Sequence, residues 1–185
     1  MLELKGPLFH STLRYIKKRI GEEKFPIFVQ KLPADLQTFL SKPILSSKFY
    51  PVDLLTGIAE GFATYIGGDP FQIYHDIGRT SAEEGASGIY KLFFMVSSPT
   101  GMLKTAGLVY KSYYSMGDMK AESTGKTGAR IRILNSGIHH VSLCHRLSGF
   151  IERTMELTGG KRVIVSHPKC FTRGDSTEEW EGGWE

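Results

Sequence analysis

Residues 118–135 read DMKAESTGKTGARIRILN, and this stretch decides the fold. It divides into two strands, 118–124 and 129–135, joined by the turn Gly125-Lys126-Thr127-Gly128. In the second strand Ile131 and Ile133 alternate with Arg130 and Arg132, which makes one face apolar and the other wet. Helical periodicity precedes the hairpin, and a long helix followed by further strands comes after it. That order predicts an α+β class, a helical half followed by an antiparallel sheet, rather than alternating βαβ units. Gly125-Lys126-Thr127 also imitates the end of a phosphate-binding loop. The motif needs a glycine five positions earlier, where Lys120 stands, and a helix rather than a strand after it. The turn is read as a hairpin.

Upstream, Leu103, Ala106, Tyr110, Tyr113 and Gly117 recur at threes and fours, a helical seam opened by Ser98-Pro99. Asp69-Pro70-Phe71-Gln72 starts an earlier helix that extends toward Val96. Gly78, Gly85 and Gly88 lie within it, so either another backbone approaches closely or the helix breaks near Gly85. Pro51 opens a helix with Leu55, Ile58, Phe62 and Ile66 on one face, and Gly67-Gly68 stops it. A shorter helix spans Ala34–Leu40, between Pro33 and Pro43. The first helix is read over Ser11–Glu23, with Ser11 as N-cap and Phe9, Leu13, Ile16 and Ile20 as its buried stripe. Downstream of the hairpin come the loop Asn135-Ser136-Gly137 and a helix over His139–Leu157 closed by Gly159-Gly160. A strand over Lys161–His167, a turn region over Pro168–Ser176, and a last strand through Trp180 and Trp184 follow. With no repeat or linker, residues 1–185 read as a single domain, 1–117 helical and 118–185 sheet plus helix.

The chain has 185 residues, 41% of them hydrophobic and 23% charged, enough to bury a core without disulfide or metal support. Cys144 and Cys170 are its two cysteines, too few for a disulfide framework and suited to a reducing compartment, so a cytoplasmic location is expected. No long uncharged apolar run occurs, and Arg14, Lys17, Lys18 and Arg19 interrupt the apolar residues near the start. No transmembrane segment or signal peptide is therefore expected, although peripheral membrane contact stays open. The formal charge of +4 resides in residues 1–31, on one face of an amphipathic helix, and the last 13 residues are acidic. A patch that small with no reading motif predicts no nucleic-acid partner.

Three groups of residues carry candidate chemistry. Tyr74, Phe93, Tyr110 and Tyr114 belong to an aromatic-rich helical half that suits a pocket for an apolar ligand with a polar end. Arg79, one turn after His75, is the candidate to hold an anionic end bidentately. His140, Cys144, His167 and Cys170 form the alternative, a zinc site, against the plainer reading of a core cysteine. No nucleophile elbow, paired-carboxylate motif or His-Glu-x-x-His occurs, so no catalytic residue is assigned.

Cys144-x₄-Gly149-Phe150-Ile151-Glu152, Gly159-Gly160, Cys170-x₃-Gly174-Asp175 and a terminal Trp together resemble the 4-vinyl reductase small-molecule-binding domain. That domain is similar in fold to haem nitric-oxide-binding domains and to TRAPP vesicle-tethering subunits. Tyr50-Pro51, Ile77-Gly78-Arg79, Gly88-Ile89-Tyr90-Lys91, Ser98-Pro99 and Tyr113-Tyr114-x-x-Gly117 resemble a myxobacterial paralogous family of unknown function. The resemblance implies a haem-NO-binding-like topology with a pocket between helical half and sheet, and a tendency to pair. The chain departs from it in two ways. Asp175-Ser176-Thr177 stands where the 4-vinyl reductase domains place a further cysteine. No histidine lies between Asp76 and His139 to serve as an axial ligand, and the Tyr-x-Ser-x-Arg signature is missing. The expectation is accordingly a topology without haem, no cofactor, and zinc as the alternative. The expected function is a non-enzymatic cytoplasmic sensor or regulatory module for a small apolar or lipid-like ligand. The alternative is a homodimeric interaction or scaffold module with a vestigial pocket, and a tetrapyrrole-related enzyme is a minor third.

Overall fold

The computed structural model describes residues 1–87, 91 and 98–185. Strand β1 (Glu3–Lys5) leads into α1 (Gly6–Ile20), followed by α2 (Phe25–Lys31), α3 (Ala34–Leu40), β2 (Phe49–Pro51), α4 (Val52–Ile66) and α5 (Pro70–Ser87). After residue 98 come α6 (Pro99–Leu103), α7 (Ala106–Tyr113), β3 (Asp118–Ser123), β4 (Gly128–Leu134), α8 (Val141–Leu157), β5 (Ile164–Lys169) and β6 (Glu178–Gly183). A 3-10 turn, Phe171–Arg173, joins the last two strands. The architecture is α+β, as the hairpin predicts. No helix among the described residues is long and apolar enough to cross a membrane.

The four-stranded sheet has the order β3-β4-β6-β5 and is antiparallel throughout. Its register sets Ile131 opposite Trp180, Ile133 opposite Glu178 and Ala129 opposite Gly182. These six residues share one face of the pleat, and all are buried. Arg130 and Arg132 face outward with Glu181 and Glu122, to which they donate at 3.0 and 2.6 Å. The buried face packs on α8, where the Trp180 Nε1–H donates to Ser148 Oγ at 2.9 Å. A small second sheet pairs β1 with β2, and the Ser115 N–H bonds to the Glu3 carbonyl, tying the end of α7 to it.

Helix α8 runs down the middle of the molecule against α5. Gly78 and Gly149 make that approach: a Cβ on Gly78 would collide with the Arg146 carbonyl oxygen, and one on Gly149 with that of His75. Close backbone approach is therefore the role of Gly78, while the expected helical stretch toward Val96 runs into residues outside the described ones. Asp69 Oδ1 accepts from the Phe71 N–H at 2.9 Å, and Ser98 Oγ accepts from the Gly101 N–H at 3.1 Å. Both start signals act as read.

Several boundaries differ from the sequence reading. Helix α1 begins at Gly6, not Ser11, because Pro7 sets the helical φ and β1 feeds directly into it. Ser11 then lies inside the helix, buried, bonded to the Leu8 carbonyl. The seam through Leu103 and Tyr113 is two helices with a turn at Lys104–Thr105, and Tyr114 is extended. Strand β5 is shifted to Ile164–Lys169 and includes His167 and Pro168. β1, β2 and α2 had no counterpart in the sequence reading.

Candidate functional site

A cavity of about 70 Å³ lies where α6, α7 and α8 meet the sheet. Met102 and Leu103 from α6, Val109 and Tyr110 from α7, Ile131 from β4, and Leu147, Ile151 and Met155 from α8 supply its apolar walls. The pattern behind it is the threes-and-fours spacing of α7 meeting the alternate residues of β4, since both periodicities aim side chains at one space. Tyr110 and Tyr114 stack with ring centroids 4.4 Å apart, and burial raises both phenols, Tyr114 to about 12. Two lining residues, Tyr110 and Thr154, carry buried hydroxyls with no hydrogen-bond partner among the described residues.

Arg146, on α8, also lines this cavity. It is 4% exposed, and desolvation pulls its pKa down to about 10. Its guanidinium donates to Thr12 Oγ1, Leu8 O, Ser11 Oγ and Ser81 Oγ, at 2.5, 2.9, 2.9 and 2.7 Å.

A second cluster lies at the other end of the α8–sheet interface. Donor atoms of Cys144, His167, Cys170 and Glu178 all lie within 4.8 Å of one another. The two sulfurs are 3.3 Å apart, His167 Nε2 is 2.6 Å from Glu178 Oε2, and Glu178 Oε1 accepts from the Phe171 N–H at 3.1 Å. Both cysteines and Glu178 are buried, and the His167 ring stacks on Trp180 at 4.2 Å. Burial and the Glu178 carboxylate push the Cys144 thiol well above the usual cysteine range. Two sulfurs, an imidazole and a carboxylate are a four-ligand set for zinc, whose ligand atoms, bound at about 2.0–2.3 Å, lie roughly 3.3–3.8 Å apart.

The structure separates the residues nominated from sequence. Tyr110 and Tyr114 line the cavity. Tyr74 is buried against a different, much smaller hollow beside Leu55 and Ala59. Phe93 lies outside the described residues. Arg79, nominated to hold an anionic end, is engaged by carboxylates of the chain itself: it bonds to Glu152 and, with Nη2 at 2.8 Å, to Glu156. The close α5–α8 contact brings that pair of carboxylates, one turn apart on α8, to its guanidinium. The His140 imidazole does not join the cysteines either. It caps α8, accepting from the Ser142 N–H, and its Nε2 is 2.7 Å from Glu60. Glu178 takes the fourth place. Sequence reasoning missed Glu178, Arg146 and Met102. Glu178 was accessible in principle, because it is two residues before the core Trp180 and so shares its face.

No family model matches the chain, and no curated protein does. Solved structures do match. A mutant H-NOX protein from S. oneidensis in the Fe(II) ligation state superposes with a TM-score of 0.79 at 15% identity, over 98% of this chain and 96% of that one. The unliganded Fe(II) H-NOX protein from K. algicida gives 0.72 at 12% identity, over 98% and 96%. An oxygen-binding H-NOX domain related to soluble guanylate cyclases gives 0.70 at 12%, over 98% and 95%. The fold is thus that of the H-NOX domains, as the resemblance implies. The 4-vinyl reductase, TRAPP and myxobacterial likenesses rest on the quoted motifs alone.

The cofactor expectation is corrected by the same finding. A haem was set aside and no cofactor expected, yet the fold is shared with proteins studied in Fe(II) and Fe(II)NO states and for their heme distortion. The missing axial histidine and signature had carried that expectation, and they do not separate this chain from the fold. In this chain the cavity offers phenols and thioethers, and both residue types ligate haem iron elsewhere. The phenols are held neutral, however, and about 70 Å³ lies far below the ~300 Å³ at which pockets for drug-sized ligands begin. The walls as they stand do not fit a haem.

Proposed function

We propose that this chain is a non-enzymatic sensor or regulatory module that binds a small apolar molecule in the cavity between α6, α7, α8 and the sheet. The observation that carries the reading is a cavity with apolar walls and two hydroxyls that have no partner among the described residues, in a fold shared with an H-NOX protein solved in its Fe(II)NO state and with an oxygen-binding H-NOX domain. Its volume favours a compact molecule over a lipid chain. The phenols and the Thr154 hydroxyl, all in their neutral forms, supply no general base, which supports binding rather than catalysis. Native mass spectrometry of the chain purified from its own host tests this, with a bound small molecule expected. A ligand-free spectrum together with a melting temperature unmoved by small apolar compounds would overturn it. Titration with haem, read by visible absorbance, tests the property of the solved members directly.

The Cys144, His167, Cys170 and Glu178 cluster supports a second element of this reading, a structural zinc ion that pins the β5–β6 connection to α8. Bound zinc would compensate the buried carboxylate and deprotonate its thiol ligands, of which burial holds that of Cys144 protonated. Elemental analysis is expected to find one zinc per chain, lost in Cys144→Ala and Cys170→Ala and retained in His140→Ala. Retention of zinc by both cysteine variants would refute the assignment.

A further inference from the structure

We infer that the connection from α3 to β2, with the end of β1 beside it, docks on an anionic lipid bilayer. Leu45 and Phe49 enter the headgroup layer, and Lys5, Lys42 and Lys48 bind the lipid phosphates around them. None of these residues lines the cavity or belongs to the cysteine cluster, and the inference depends on neither.

Of residues 41–49, only Ile44 is half-buried and the rest are exposed. Leu45 is 46% exposed and Phe49 37%, although both are large and apolar. Hydrogen bonds fix that display. The Lys48 N–H donates to the Leu45 carbonyl at 3.2 Å and closes a turn, and the Gly6 N–H donates to the Lys48 carbonyl at 2.9 Å. The Leu45 N–H donates to the Tyr50 hydroxyl at 2.8 Å, and His10 Nε2 is 2.8 Å from the Ile44 carbonyl oxygen. A Cβ on Gly6 would collide with the Leu45 carbonyl, so the turn lies directly on the start of α1. Ile44 packs on the core and leaves its neighbour Leu45 at the surface.

Cations surround the two apolar side chains. Lys5 stands opposite Phe49 in the β1–β2 register, with its Nζ 5.7 Å from the centre of the ring. Lys42 and Lys48 lie symmetrically before and after Leu45 in the chain, and no acid occurs between Asp35 and Asp53. Glu3, on the same face of β1 as Lys5, is the one acid that the ladder adds. Among the described residues none of the three lysines makes an ion pair, whereas Arg130 and Arg132 on the sheet are matched by Glu181 and Glu122. Residues 1–48 hold nine basic and four acidic side chains, and the last 13 residues are acidic. Such an asymmetry orients a protein at an anionic surface. The apolar pair selects the kind of surface. Lysine stems lie along apolar groups with the ammonium at a lipid phosphate, while Leu and Phe reach the acyl boundary. A nucleic-acid backbone offers no apolar layer to receive them.

Co-sedimentation of the full chain tests the inference, with vesicles of phosphatidylcholine alone and of an equimolar mixture of phosphatidylcholine and phosphatidylserine. Binding is expected to the mixed vesicles only, and to weaken as salt is raised. Lys42→Gln and Lys48→Gln are each expected to weaken it about fivefold, the value of one lysine near an anionic bilayer. Leu45→Ser with Phe49→Ser is expected to weaken it about tenfold. Leu45→Ser alone, at an exposed side chain, serves if that double variant does not fold. Lys120→Gln with Lys126→Gln, the same change of charge on the β3–β4 hairpin, is expected to leave binding unchanged. No binding to the mixed vesicles would overturn the inference. So would an equal loss in the hairpin variant, or undiminished binding by the folded Leu45 variants. Binding of polyglutamate in solution as tight as binding to the vesicles would assign the face to an acidic protein and overturn the bilayer as its partner.

Discussion

At the scale of single residues, the two glycines at the α5–α8 crossing leave no room for a side chain. Each faces a carbonyl oxygen of the opposite backbone, which has no rotamer to move out of the way. Gly149→Ala is expected to destabilise the chain by about 1–3 kcal/mol or more, as overpacking does. Urea unfolding should show the loss as a lower midpoint at an unchanged slope. The glycine spacing in α5 is visible in the sequence, but the partner glycine on α8 becomes meaningful only once the helices are placed. Glu178 is an intermediate case. Its parity with Trp180 marks it as inward-facing, whereas its nearness to both cysteines depends on how the sheet docks on α8. Arg146 was not legible, since its partners Leu8, Ser11, Thr12 and Ser81 come from helices remote in sequence.

At the scale of elements, local signals succeeded wherever a side chain or a fixed φ settles the matter within a few residues. Asp69-Pro70 and Ser98-Pro99 are such cases. Ser98→Ala removes the acceptor of the Gly101 N–H, and a loss of about 1 kcal/mol is expected. Thermal unfolding should show it as a fall of roughly 2–4 °C. Ser11 shows the limit of the same reasoning. Its hydroxyl has the chemistry of a cap, but α1 starts more than a turn earlier, at Gly6, and the hydroxyl instead serves Arg146. The break between α6 and α7 escaped periodicity for a related reason: both halves keep the same apolar spacing across the turn, and both face the cavity.

At the scale of the whole molecule, the ion network across α5 and α8 links the helical half to its central helix. Burial raises the pKa of Glu156, but the bonds from Arg79 and Arg153 outweigh it and hold the carboxyl below its ordinary value. A depressed carboxyl stabilises the folded state above its unfolded value of 4.5, and that contribution is lost as pH falls through the folded value. Acid unfolding followed by circular dichroism is expected to show a shallower loss of stability below about pH 4.5 in Glu156→Gln than in the native chain. Equal slopes would show that the pair contributes nothing to acid stability. The match to the H-NOX domains also belongs to this scale, because it appears at 12–15% identity and spans the chain end to end.

The sequence by itself determined the class of the fold: a two-residue alternation at 128–134 and three-and-four spacings elsewhere are local facts that survive any docking. It also nominated Tyr110 and Tyr114, which line the cavity, and Cys144, His167 and Cys170, which cluster at the other end of the α8–sheet interface. Only the tertiary structure decided which side chains share a space. It took Arg79 away into an ion network, drew His140 to a helix cap, and brought Glu178 to the cysteines and Arg146 to the cavity. Those outcomes turn on how α5, α8 and the sheet pack, and packing is governed by backbone approach and register, which link residues that no short window of sequence contains.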